Sequence, residues 1–231
     1  MPDRIAKIIA HSGLCSRRDA EKLIDERRVS VNGEVINTPA TLVSASDVIE
    51  VDGKKIAKKS AAELWAFYKP NGCLTAEKDP LNRTTIYDIL PKNLPRLMPI
   101  GRLDYNTEGL LLLTNDGGLK REFELPSNGF KRTYRVRVYG EIDKQEIADL
   151  KNGINFEGIN YTIIDAQIDS AKSEGKNHWL KITIAEGKNR EIRFICEAIG
   201  LTVNRLIRVS YGEYSLGNMK QSEVRKMELK T

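Results

Sequence analysis

The sequence predicts an α+β (mixed α/β) protein in two parts: a small N-terminal domain over residues 1–56 and a larger one over residues 64–231, joined by a linker at 57–63. Three observations predict it. The first sixty residues carry two short helical patterns and then turn-closed alternating runs. From Leu64 onward, β-branched and aromatic runs outnumber helical patterns and do not form regular βαβ units, which favours an antiparallel or mixed sheet flanked by helices over a doubly wound one. Between the two parts, AKKSAAEL (57–64) is polar, rich in small residues and without apolar alternation, as a linker is.

The elements follow in order. Ile5, Ile8 and Ile9 recur at helical spacing, and Gly13 ends that segment. Ser16 stands at an N-cap position with Asp19 three residues later as a capping-box partner, so a second helix begins there. Its apolar face is Ala20, Leu23 and Ile24, which leaves Arg17 and Arg18 at the exposed first turn. Positive charge at a helix start opposes the macrodipole, so the two arginines cost a little stability unless an anion lies opposite them. A phosphate would supply that anion; a solvated helix start is the plain alternative. VSVNGEVI alternates and turns at Asn32-Gly33, a strong hairpin signal, and DVIEVDG gives another strand closed by Asp52-Gly53. In the larger part LWAFYKP, LLLLTND, RTYRVRVYG, NYTIIDAQI, HWLKITI and TVNRLIRVSYG read as strands; DKQEIADLKNG and KNREIRFICEAIG read as helices.

Composition narrows the function classes. A chain of 231 residues, 40% hydrophobic, can bury one or two ordinary cores. Its net charge of +5 suits a polyanionic partner without demanding one. Cys15, Cys73 and Cys196 are few, far apart and odd in number, which suggests neither a disulfide framework nor a zinc knuckle and fits a reducing cytosol. No apolar stretch approaches the roughly 20 residues of a membrane span, and no apolar run follows the first charges. The expectation is a soluble, cytoplasmic protein that is not exported.

The stretch that carries chemistry is GRLDYNTEGLLLLTND, residues 101–116. Asp104 lies between Gly101 and Gly109 in a loop feeding an apolar strand, where a carboxylate can be held at the edge of a core while backbone approaches a ligand. The bland alternative is an Asx-type turn of Asp104 with Thr107. Glu108, next to Gly109, reads as solvent-facing, so the loop offers no clear second acid for a two-carboxylate glycosidase.

Two resemblances extend this reading. RIAKIIAHSGLCSRRDAEKLIDERRVSVNGEVI with DVIEVDG, about residues 2–55, looks like the S-four-like RNA-binding domain, with SRRDAEKLI and VSVNG as its specific parts. The resemblance implies two helices and a hairpin gripping structured RNA through phosphates, with Arg17 and Arg18 among the contacts. Where that family usually has Gly before the first strand this chain has Arg27, a strained residue if the site needs positive φ and an added charge otherwise.

GRLDYNTEGLLLLTNDG resembles the most specific motif of the RNA pseudouridine synthases, in the RsuA and RluB type that modifies ribosomal RNA. FYKPNG (67–72), KRTYRVRV (131–138), EGKNREIRFICEAIG (186–200) and NRLIRVSYG (204–212) match the same branch in the same order. The resemblance implies isomerisation of a specific uridine in ribosomal RNA without metal or other cofactor. That suits a chain whose His11 and His178 stand far apart and which has no glycine-rich phosphate loop. It implies that Asp104 is catalytic, as nucleophile or as base, and that Arg193 pairs with it. Tyr134 would stack on the extruded base, Leu206 would close its pocket, and Arg102 and Arg190 would bind the RNA. Lys69 and Pro70 would be structural. Phe194 stands where many relatives have a second basic residue, and Arg132 precedes Tyr134 much as the family's basic residue does. NRLIRVSYGEYSL and RVRVYGEID point towards large-subunit RNA. A small-subunit target, a non-catalytic RNA-binding assembly protein and a nucleoside or glycoside hydrolase are the alternatives. Ribosomal RNA is the expected partner, with assembly intermediates beside it and a monomer as the default state.

Overall fold

The structure, a computed structural model, describes residues 2–44, 46–57 and 61–230, with backbone alone for 170–174. Part of the expected linker, residues 58–60, lies outside the described residues. The chain divides into two compact units: residues 1–63 with 93–98 and 115–117, and residues 64–92, 99–114 and 118–231.

The first unit holds β1 (Asp3–Arg4), α1 (Ile5–His11), α2 (Arg17–Asp25), β2 (Val29–Val31), β3 (Glu34–Val35), β4 (Leu42–Val43), β5 (Ile49–Val51) and β6 (Lys54–Lys55). β3, β2, β5 and β6 form an antiparallel sheet, and β1 pairs with β4. Ile5, Ile9, Ala20, Ile24, Val29 and Val43 are buried together, so the apolar faces of both helices close on the sheet. Ser16 caps α2 by accepting the Asp19 amide at 3.1 Å, and its hydroxyl donates to the Asp19 carboxylate at 2.6 Å. Both hairpins turn through left-handed pairs, Asn32-Gly33 at φ 52° and 89° and Asp52-Gly53 at 51° and 72°, the turn chemistry their sequences call for.

Arg27 sits at φ 57°, so the position does require the left-handed region. An L-residue there is strained by roughly 1–2 kcal/mol, partly offset in glycine by the entropy it loses on folding. Arg27→Gly is therefore expected to raise the unfolding free energy by about 0.5–1 kcal/mol in urea titrations. No gain would mean that the arginine side chain compensates the strain.

The second unit is built on one mixed sheet. Its strands are β7 (Leu64–Lys69), β8 (Met98–Ile100), β9 (Glu108–Thr114), β10 (Arg132–Tyr139), β13 (Asp165–Glu174), β14 (Asn177–Ile184), β15 (Thr202–Tyr211), β16 (Tyr214–Ser215) and β17 (Val224–Met227). The order is β13-β14-β10-β15-β9-β7-β17, with β16 on β15 and β8 on β9. β13 to β15 pair antiparallel, as do β9, β7 and β17; the two halves meet where β15 runs parallel to β9, at Ile207–Glu108 and Arg208–Gly109. Helices α3 (Ile86–Ile89), α4 (Gly117–Glu124), α5 (Lys144–Asp149) and α6 (Glu191–Ala198) and the hairpin β11 (Ile154–Phe156) and β12 (Ile159–Tyr161) flank it. This is the mixed, strand-heavy α+β fold the sequence predicts.

Every residue of β9 is buried, which accounts for its unbroken apolar run: a strand covered on both faces has no polar side to show. At the seam Gly109 adopts φ +104°, and a Cβ there would lie 2.3 Å from the Arg208 carbonyl oxygen, so only glycine lets the halves close. NYTIIDAQI is not one strand. Residues 162–164 break it into β12 and β13, where the Thr162 amide leaves the ladder and donates to Glu186.

Candidate active site

The loop from Gly101 to Thr107 is held through its backbone. Lys69, at the end of β7, is fully buried; its ammonium donates to the carbonyls of Thr107 (2.9 Å), Pro70 (3.1 Å) and Tyr105 (3.5 Å). Thr75 brackets Leu103, its hydroxyl donating to the carbonyl at 2.9 Å and accepting the amide at 3.3 Å. The Gly72 amide donates to Tyr105, and the Gly101 amide donates to the Glu124 carboxylate at 2.6 Å. Arg193 donates from Nη2 to the Asn106 carbonyl at 2.9 Å and from Nη1 to the Val203 carbonyl at 3.4 Å. Asp104 contributes only its carbonyl, which accepts the Thr107 amide at 3.0 Å. So the loop makes a backbone turn, not an Asx turn, and among the described residues the Asp104 carboxylate has no hydrogen-bond donor.

That carboxylate borders a cleft of about 470 Å³, in the size range of small-ligand sites, roughly 300–1,000 Å³. The cleft brings together five of the expected residues: Arg102, Asp104, Tyr134, Arg190 and Leu206. Tyr134 is 8% exposed and follows an irregularity in the β10–β15 register between Thr133 and Tyr134, the kind of bulge that re-aims a side chain. Leu206 is buried on β15, across from Val136, and adds the apolar wall. Arg102 is exposed at the rim. Arg17 and Arg18 are exposed at the first turn of α2 in the other unit, Arg17 within 3.7 Å of Glu21.

Two expectations need correction. Arg193 forms no ion pair with Asp104: its Nη1 and Nη2 donate to the Val203 and Asn106 carbonyls, its Nε is buried without a partner among the described residues, and it acts on the carboxylate only through space. Burial and neighbouring Arg190 push the Arg193 pKa down, and the Asp104 charge opposes them. Lys69 behaves alike, burial lowering its pKa while Cys73, Asp104 and Glu108 raise it. Arg190 is the N-cap of α6 at φ 50°, its carbonyl accepts the Arg193 amide at 2.9 Å, and from there it lines the cleft. Glu108 does not face solvent. It is 4% exposed and takes a bidentate pair from Arg205 at 2.8 and 2.9 Å plus the Gln221 amide at 2.9 Å, because the parallel seam carries it beneath β15.

Other residues support the site through contacts that the sequence did not specify. Arg132 donates to the carbonyls of Ala185 (2.7 Å) and Glu186 (3.0 Å) and to the Tyr211 hydroxyl (2.8 Å), tying the 185–190 loop to the sheet. Phe194, in place of a basic residue, stacks on Phe156 with centroids 6.0 Å apart and packs the β11–β12 hairpin on α6. Its apolar character follows from that contact. Lys69 was singled out only through the FYKPNG match, as structural, and Thr75 had no signal. Among the described residues no group of three or more His, Cys, Asp or Glu could hold a metal, and no helix is long and apolar enough to cross a membrane.

The arrangement is thus a rigid loop that presents one carboxylate to a cleft with an aromatic and an apolar wall and arginines at its border. A family model described as RNA pseudouridylate synthase matches residues 63–198. The chain belongs to that family. A model of the S4 domain matches residues 3–49. An uncharacterized RNA pseudouridine synthase of Rickettsia felis is 51% identical over 94% of this chain and 93% of its own length. Ribosomal large subunit pseudouridine synthase B of Salmonella typhimurium is 40% identical over 94% of this chain and 76% of its own length. A crystal structure of a pseudouridylate synthase superposes with TM-score 0.66 at 26% identity, covering 97% of this chain and 96% of that one. The protein is therefore an RNA pseudouridine synthase, an isomerase acting on RNA, with an S4 domain in front.

Proposed function

We propose that the protein converts a specific uridine of large-subunit ribosomal RNA to pseudouridine in the cytoplasm as a monomer, with Asp104 as the catalytic carboxylate. The observation that carries the assignment is that Asp104 reaches the cleft with no donor on its carboxylate among the described residues, while the backbone around it is pinned. The reaction breaks the bond from ribose C1′ to uracil N1, turns the base and joins C1′ to C5; C5 gives up a proton and N1 takes one up, so the composition is unchanged. A carboxylate serves it either by attacking the nucleoside or by taking a ribose proton. Tyr134 supplies a face on which the extruded base stacks, Leu206 closes the pocket, and Arg193 and Lys69 supply positive potential behind Asp104. Arg102 and Arg190 meet the RNA at the rim. The large-subunit target is supported by the Salmonella relative, whose name states it.

The test is to incubate the protein with unmodified large- and small-subunit RNA, free and in assembly particles, and to map carbodiimide-dependent reverse-transcription stops. A new stop in large-subunit RNA alone is expected. A stop in small-subunit RNA would move the target, and none in either would leave an RNA-binding assembly protein.

The S4 domain, residues 1–56, is proposed to grip the RNA by phosphates, with Arg17 and Arg18 facing them. Each phosphate contact contributes nearly one unit to the slope of log affinity against log salt. Reversing both charges, Arg17→Glu with Arg18→Glu, is expected to weaken binding at low salt and flatten that slope by about 2. An unchanged slope would place the contacts elsewhere.

A further inference from the structure

A pair of carboxyl groups on the cleft has no role in the chemistry above. Glu191 opens α6 and is 3% exposed. Its Oε2 accepts the Lys188 amide at 3.0 Å, while Oε1 is buried with no donor among the described residues. The Glu186 carboxyl, also on this cleft, is close enough to Glu191 to push its pKa up. Two carboxylates in contact repel unless a proton lies between them. Glu186 is the one furnished with donors, the Thr162 amide at 2.9 Å and the Lys188 ammonium, so the proton belongs on Glu191.

We propose that Glu191 is a positioning residue, which shares a proton with Glu186 and so fixes the 186–190 loop as a wall of the cleft. The inference rests on reading that cleft as the site of uridine isomerisation. With the proton in place, Glu191 bridges Glu186 and the Lys188 amide, and Arg132 clamps the same loop from β10 through the carbonyls of Ala185 and Glu186. Lys188 and Arg190 are then presented to the RNA in one geometry. Without the proton, the buried Glu191 charge faces that of half-buried Glu186 and the loop loosens.

The remaining charges agree with this placement. Burial, then Glu186, push the Glu191 pKa up to about 8, against the Lys188 amide and ammonium. The start of α6 also favours negative charge at Glu191 and is outweighed. For Glu186 burial pushes upward, but Lys188 and the Thr162 amide hold it below the usual carboxylate range. The other charged groups on the cleft are Arg132 from β10, Arg190 at the helix start, Arg208 from β15, and Arg102, Asp104 and Glu124 from the remaining wall.

Two measurements on the full chain decide the matter. Difference infrared spectra of the protein alone are expected to show a protonated-carboxyl band at pH 7 that disappears around pH 8 and is missing in Glu191→Gln. If only the neutral form holds the loop, the wild-type KM for RNA rises about tenfold from pH 7 to pH 9 with little change in kcat. In Glu191→Gln, which cannot ionise, the KM is expected to vary less than about twofold over that range, and in Glu191→Ala it should be raised at every pH. The RNA is the same for all three, so its own titration cancels. A wild-type band persisting in Glu191→Gln, or equal KM slopes in the two proteins, overturns the inference. RNA left unmodified by the wild type would defeat the functional reading instead, and the infrared arm would still decide on the proton.

Discussion

Asp104→Asn is expected to abolish pseudouridine formation, lowering the single-turnover rate by about three orders of magnitude or more. The amide keeps the shape of the side chain but loses the lone-pair basicity and charge that both mechanisms require. Because the Asp104 carboxylate supports no hydrogen bond among the described residues, the fold should hardly notice: unfolding free energy should change by less than about 0.5 kcal/mol. RNA affinity should also hold, since the contacts proposed for Arg17, Arg18, Arg102 and Arg190 remain. A residual rate within tenfold of wild type would remove Asp104 from the chemistry.

The second large effect is expected at Lys69. Lys69→Met removes the donor shared by the carbonyls of Thr107, Pro70 and Tyr105 and leaves a side chain of similar length in the same fully buried slot. Loss of the buried ammonium relieves its own desolvation, while the orphaned carbonyls cost more, so a net destabilisation of about 2–3 kcal/mol is expected in urea unfolding. The rate should fall by about a hundredfold in protein that is still folded, because a displacement near 1 Å of the reacting group costs that much. Lys69→Arg should not restore it, since a planar fork does not fit three carbonyls arranged around a point charge. A variant as active as wild type would show that the loop holds its shape without this anchor.

These two residues mark what the sequence could and could not convey. The strands of the larger unit were legible because their side-chain pattern is local: a run such as Glu108–Thr114 announces burial on both faces. The hairpins were legible because Asn-Gly and Asp-Gly admit few backbone shapes. The short elements α3, α4, β8, β11 and β17 were not read, since three to eight residues with mixed patterns depend on what they pack against. The cleft residues could be listed by motif, but their geometry could not. Whether Arg193 meets a carboxylate or two carbonyls depends on where Asn106 and Val203 fall, and they are 87 and 10 residues away in sequence. Glu108 was misread for the same reason. Its partners Arg205 and Gln221 are supplied by chain that has not yet appeared when its neighbourhood is scanned.

The glycine seam between the half-sheets has one more implication. Asp104 hangs from one half, through β9, while Tyr134 and Leu206 belong to the other, through β10 and β15. The spacing of Asp104 from Tyr134 and Leu206 across the cleft is therefore governed by two backbones touching at Gly109 and Arg208. Substitutions at the rim leave that spacing in place, whereas a single methyl group at Gly109 would meet the Arg208 carbonyl and wedge the two half-sheets apart.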